Sequence, residues 1–120
     1  MGKKVLIIDD DPNICELVSI TLKSKGLDVI SALTGEKGLD AASEFLPDII
    51  LLDHRLPDVD GKDVAKKLKT MSAGKKAYII MMSGEDAAWE ELDSSLFAGL
   101  LKKPFKLSDM ADYVEKCLKK

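Results

Sequence analysis

Cysteine is scarce: the chain holds only Cys15 and Cys117, both in helix-patterned stretches and without the close spacing of a thiolate metal site. That excludes a disulfide framework and leaves free thiols in a reducing compartment, the cytoplasm, as the expectation. No apolar run approaches the ~20 residues a membrane helix needs, and the N-terminus lacks the segments of a signal peptide. Charge of one sign is missing as well. The balance of 18 Lys and Arg against 21 Asp and Glu is a net −3, and Lys3/Lys4, Lys66/Lys67, Lys75/Lys76 and Lys119/Lys120 are scattered pairs. Without a basic field to neutralise phosphates, no direct nucleic-acid partner is expected. Linkers, internal repeats and low-complexity tails are absent too, so residues 1–120 are expected to form one domain.

What is there is an alternation of short apolar runs and amphipathic stretches. The run PDIILLD at 47–53 sets Ile49, Ile50, Leu51 and Leu52 directly before Asp53. A continuous apolar run of this length is the pattern of a parallel strand buried on both faces. Runs at 5–8, 27–32, 78–82 and 100–101 supply four more strands, the second reading as an edge because it includes Asp28 and Ser31.

Helix patterns lie between the strands. Pro12 suits the first turn of a helix reaching about residue 25, with Ile14, Leu17, Val18, Thr21 and Leu22 inward and Gly26 as its stop. Thr34 caps a second, with Leu39, Ala42 and Phe45 or Leu46 facing in, although Gly35 and Gly38 weaken its start. Asp60 caps a third, built on Val64, Ala65, Leu68 and Met71 and ending before Gly74. A fourth covers about 86–96 with Ala88, Leu92 and Leu96 inward. Ser108 caps a last helix, in which Met110, Ala111, Val114, Cys117 and Leu118 make one stripe. This alternation calls for an α/β architecture, a parallel sheet covered by helices on both faces.

Open α/β sheets place ligands beyond the carboxyl ends of their strands. There the chain brings Asp9 and Asp10 from the first strand, Asp53 from the third, Ser83 from the fourth and Lys103 from the fifth. Three neighbouring carboxylates repel one another unless a cation or protons intervene. Few, all-oxygen protein ligands with room for water suit Mg2+, with Mn2+ as a substitute, better than a closed calcium cage. Lys103 and Ser83 would face a second anionic group, and a phosphoryl group fits that division of charge. Singly the signals are weak. Acids after a strand often only cap a helix, the ordinary reading for Asp11 and Asp58, and Ser83-Gly84 alone reads as a turn. Their coincidence at one rim carries the argument.

With these residues assembled, the chain resembles the receiver domain of bacterial two-component response regulators. The matching segments are VLIIDDDP at 5–12, IILLDHRLPDVDG at 49–61, MMSGE at 81–85 and KKPF at 102–105. The resemblance implies a flavodoxin-like, doubly wound (βα)5 fold with strand order 2-1-3-4-5. It implies Asp53 as phosphoacceptor and, with Asp9, Asp10 and the backbone carbonyl of Arg55, part of the metal site. Asp10 would be the direct side-chain ligand and Asp9 would hold metal-bound water. Ser83 would be the family's hydroxyl and Lys103 its lysine, joined to Pro104 by a cis bond. A phosphohistidine of a sensor histidine kinase or phosphotransfer domain would then donate to Asp53 in a Mg2+-dependent reaction. The acyl phosphate would switch partner binding until it hydrolyses, which describes a phosphorelay switch and not a turnover enzyme.

Output is expected through movement of Ser83 and Gly84 and through the face of the fourth helix, fifth strand and last helix, near Trp89, Leu100 and Tyr113. The chain departs from the family pattern at Leu100, where receivers usually carry Tyr or Phe, and at Leu96 and Phe97, which replace a common Gly and Ala. Phe97 is expected in the core, while core and partner surface both remain open for Trp89. Arg55 and Glu85 are expected over the mouth of the site, either as a pair tuning phosphate lifetime or as two solvated charges. Nothing follows Lys120, so no output domain is expected within the sequence, which reads as a freestanding relay or one domain of a larger regulator.

The main alternative is a degenerate receiver acting as a phosphorylation-independent binding module. A haloacid-dehalogenase-type phosphatase would share the D-x-D spacing of Asp9 and Asp11, but Pro12-Asn13 does not continue that motif. A flavodoxin-type flavin carrier would need a phosphate loop where this chain has three acids.

Overall fold

The computed structural model describes residues 2–72, 76–84 and 92–119. Its strands are β1 (Lys4–Ile8), β2 (Asp28–Ala32), β3 (Ile49–Asp53), β4 (Tyr78–Ser83) and β5 (Gly99–Lys102). They form one parallel sheet in the order β2-β1-β3-β4-β5, the expected doubly wound arrangement. Every residue of β3 is buried, as a central strand covered on both faces requires, whereas the edge strand β2 exposes Asp28 and Ser31.

Alternation along the strands divides the core into two layers. Val5, Ile7, Ile49, Leu51, Ile80, Met82 and Leu101 pack against helix α1 (Pro12–Lys23) and the C-terminal helix (Leu107–Leu118). Leu6, Ile8, Ile50, Leu52, Ile79, Met81 and Leu100 pack against helices α2 (Gly35–Phe45) and α3 (Gly61–Thr70), with Phe97 buried in the same layer.

The helix ends show which local signals operate. Asp11 caps α1 by accepting the Asn13 N–H at 2.9 Å, and the chain leaves after the helix through Gly26 at φ 85°. Thr34 caps α2 by accepting the Lys37 N–H at 3.1 Å. Gly35 and Gly38 cost helix propensity but permit close approach: a Cβ on Gly38 would collide with Ile8, and one on Gly35 with Val59. Asp58 also acts as a cap, though not of the helix that follows it. Its carboxylate accepts the Gly35 and Glu36 N–H groups at 2.9 and 3.0 Å, tying the loop after β3 to the start of α2.

Several local expectations need correction. Leu17, expected inward, is 52% exposed, because α1 touches the sheet along Cys15, Val18 and Leu22 and turns its next face, which also carries the exposed Ile20, outward. Phe45, not Leu46, is the inward residue at the end of α2; Leu46 takes the left-handed turn at φ 55° and is exposed. Asp60 occupies the N-cap position of α3 without a side-chain bond, its backbone being engaged in a bridge with Arg55. Ser108 lies inside the C-terminal helix, which already begins at Leu107, where that side chain packs on the core.

Of the expected helix over 86–96, residues 86–91, including Ala88 and Trp89, lie outside the described residues, as does Glu85 before it. Leu92 and Leu96 do pack inward, but 92–96 is not helical. The Asp93 carboxylate takes the Ser95 N–H and hydroxyl, and the Asp93 carbonyl takes the N–H groups of Leu96 and Phe97. Such side-chain to backbone bonds favour a turn over a helix.

Candidate phosphoryl-transfer site

All four strand ends named in the sequence meet at one rim. Asp53 closes β3, Ser83 closes β4, Asp9 and Asp10 follow β1, and Lys103 follows β5. Lys103 Nζ donates to Asp9 Oδ2 at 2.7 Å and to Asp53 Oδ1 at 3.2 Å, so a single ammonium joins the first, third and fifth strand ends. Asp9 is fully buried, and its other oxygen accepts the Asp11 N–H at 2.9 Å. Asp53 is buried and Asp10 exposed.

Ligand atoms of Asp9, Asp10 and Asp53 lie within 4.8 Å of one another. The donor set is oxygen only, buried on one side and open through Asp10 on the other, which fits a small hard divalent ion that must also accept water or a substrate oxygen. The electrostatics agree. Burial raises the Asp53 carboxyl above its ordinary value, the charge of Asp9 adds to the rise, and Lys103 only partly offsets it. Burial works against the Lys103 ammonium, but its hydrogen bond to Asp9 and the charges of Asp9 and Asp53 outweigh that and hold it above its ordinary value. A bound cation would favour the ionised form of Asp53.

Asp53, His54, Arg55, Ser83, Gly84 and Lys103 line a shallow open cavity of about 270 Å³. Arg55 is exposed at its edge and its proposed partner Glu85 lies outside the described residues. Leu100 is buried on β5 beside Met81, within the layer facing α2 and α3. Lys103-Pro104 is cis, as the resemblance implies.

His54 escaped the sequence reading. Its imidazole Nδ1 lies 3.3 Å from Ser83 Oγ, so it belongs to the site. The available signal was its place directly after Asp53 as the chain's single histidine.

Comparison with known proteins matches this geometry. The family model of the response regulator receiver domain matches residues 5–115. The DNA-binding dual master transcriptional regulator RpaA of Synechocystis is 35% identical over 98% of this chain and 49% of its own length. Sporulation initiation phosphotransferase F of Bacillus subtilis is 29% identical over 98% of this chain and 95% of its own. Among solved structures, the chemotaxis response regulator CheY4 of Vibrio cholerae superposes with a TM-score of 0.90 at 27% identity, covering 98% of this chain and 99% of that one. The chain spans about half the length of several curated relatives it matches.

Proposed function

Because this chain belongs to the response regulator receiver domain family, we propose that Asp53 takes a phosphoryl group from a phosphohistidine on a sensor kinase or phosphotransfer domain. The cluster of Asp9, Asp10 and Asp53 is positioned for metal-assisted phosphoryl transfer, and the chain is classed with autocatalytic phospho-switches rather than turnover enzymes. The single observation that carries the assignment of roles is the Lys103 ammonium held between Asp9 and Asp53 at the mouth of the three-acid cluster.

An Asp53 carboxylate oxygen attacks phosphorus in line as the bond to the donor's imidazole nitrogen breaks and the imidazole leaves. Asp9, Asp10, Asp53 and the Arg55 carbonyl would hold Mg2+, or Mn2+ in its place, and the ion supplies charge compensation for the phosphoryl oxygens. Lys103 neutralises a further oxygen. Its bond to buried Asp9 keeps it at the rim when its contact with Asp53 is given up. Ser83 donates its hydroxyl to the remaining oxygen. Hydrolysis is the same displacement with water as the nucleophile and the Asp53 carboxylate as leaving group. With every one of these groups present, the reading as a degenerate binding module has no observation in its favour.

The donor would seat on the apolar groove of Ile14, Leu17, Val18, Pro104, Phe105 and Leu107, which Lys103 joins to the site. The exposure of Leu17 within it supports that placement. The downstream partner would use the face of β5 and the C-terminal helix together with the segment before β5. Residues 1–120 would form one receiver domain, and two buried free thiols favour the cytoplasm. No described helix is long and apolar enough to cross a membrane.

Treatment with acetyl phosphate and Mg2+ should add the mass of one phosphoryl group to the intact protein. The adduct should be absent from Asp53→Asn. An undiminished adduct in that variant would remove Asp53 from the role.

A further inference from the structure

Ser83 is engaged before any phosphoryl group arrives. His54 Nδ1 and Ser83 Oγ are 3.3 Å apart, one side chain half-buried and the other buried. The backbone fixes both residues beside each other. The His54 N–H donates to the Met82 carbonyl at 2.8 Å, extending the β3–β4 ladder, and the Ser83 carbonyl accepts the Lys103 N–H at 2.8 Å. A hydroxyl has one proton to donate. If it goes to an imidazole nitrogen, it is not available to a phosphoryl oxygen.

We propose that His54 is a positioning residue that latches the resting state: Ser83 donates its proton to His54 Nδ1, and this bond must open before the hydroxyl can serve a phosphoryl group on Asp53. The proposal rests on the reading of Asp53 as phosphoacceptor. His54 acts through Ser83 and opposes activation, so its removal should make the activated state easier to reach, not harder.

Beryllofluoride, formed from beryllium and fluoride in the presence of Mg2+, is the probe, since it occupies the position of a phosphoryl group on an aspartate. Its affinity is measured for the wild type, Asp53→Asn, His54→Leu, His54→Asn, Ser83→Ala and the double variant His54→Leu/Ser83→Ala. His54→Leu should bind about two- to tenfold more tightly, the range set by one net hydrogen bond. His54→Asn, whose amide restores a hydrogen-bonding atom near the Nδ1 position, should return to the wild-type affinity. In the Ser83→Ala background, His54→Leu should change nothing further.

Unchanged or weaker binding by a folded His54→Leu would overturn the latch, as would equal tightening without Ser83. His54→Asn behaving like His54→Leu would assign the effect to packing and also overturn it. A wild type that binds no better than Asp53→Asn would overturn the phosphoacceptor reading and the latch with it. A measurement on the wild type needs no variant to fold: nitrogen spectra of the single imidazole should show Nδ1 unprotonated at rest and shifted on adding beryllofluoride. A proton resident on Nδ1 of the neutral ring at rest would overturn the proposal.

Discussion

Lys103 serves two carboxylates, and they respond differently to its loss. Asp9 is fully buried and would keep only a backbone donor, whereas Asp53 reaches the cavity. Lys103→Ala should therefore destabilise the protein by about 1–3 kcal/mol, the cost of leaving a buried polar group short of a partner. Thermal melts would read this, and adduct formation from acetyl phosphate should fall in parallel. Asp53 gives the opposite sign. Its carboxyl is raised above 3.8, so the folded protein binds that proton more tightly than the unfolded chain does. Stability is lost as pH rises from 3.8 through the higher folded value. Asp53→Asn should accordingly be more stable than the wild type at neutral pH. The difference should shrink below pH 3.8, where both states are protonated, or on adding Mg2+. A neutral-pH melt showing the wild type as the more stable protein would contradict the balance of burial and repulsion described for the site.

Cys15 marks another boundary between sequence and structure. Helix patterning indicated a free thiol; only the fold shows it buried, with its S–H toward the Asp9 carbonyl and its pKa raised to about 11 by burial and then by Asp9 and Asp11. Native protein should leave both cysteines unlabelled by a thiol reagent at neutral pH, and denaturant should release both. Rapid labelling of Cys15 in native protein would show that α1 opens. The acids, the hydroxyl and the lysine of the site were legible because each ends an apolar run. His54 was not, because its partner Ser83 is 29 residues away and only the β3–β4 register brings them together.

At the level of elements, the strands were legible from continuous apolar runs, and α1 from Pro12 and Gly26. Tertiary geometry decided the rest. The glycines of α2 looked like a weakness in a helix start; instead they let the helix lie directly on β1 and the loop after β3. Gly38→Ala should cost about 1–3 kcal/mol through its collision with Ile8, although alanine is the better helix former. A melt equal to or above wild type would mean that Ile8 yields without strain. Asp58 acts at the same helix end. Its carboxylate is held below the ordinary range by the N–H groups of Gly35 and Glu36. That contribution is complete above 3.8 and is lost as pH falls through the lower folded value. Asp58→Ala should lower the melting temperature at neutral pH and lose its effect in strong acid. The link spans 22 and 23 residues, which no local capping pattern reveals.

Over the whole molecule, the question is how far a change at the rim travels. Leu100 is packed in the layer beneath α2 and α3, and the C-terminal helix lies over the other face of β5, packed on Leu101 and with the Tyr113 hydroxyl where a Cβ on Gly99 would stand. If β5 and the C-terminal helix carry the output, beryllofluoride should shift amide resonances out to Tyr113. Shifts confined to Asp9, Asp10, Asp53, Ser83 and Lys103 would mean that Leu100 leaves the site isolated from that face.

The Lys103–Asp9 bond joins residues 94 positions apart, and between them the strand order places β3 against β4 at the middle of the sheet. A single cut between α3 and β4 would thus leave all the acids of the site on one fragment and its ammonium and hydroxyl on the other. The two pieces would be unlike-charged at the seam and complementary along a full strand edge. That is the geometry of a split reporter in which only reassembly brings the acids, the ammonium and the hydroxyl back to one rim.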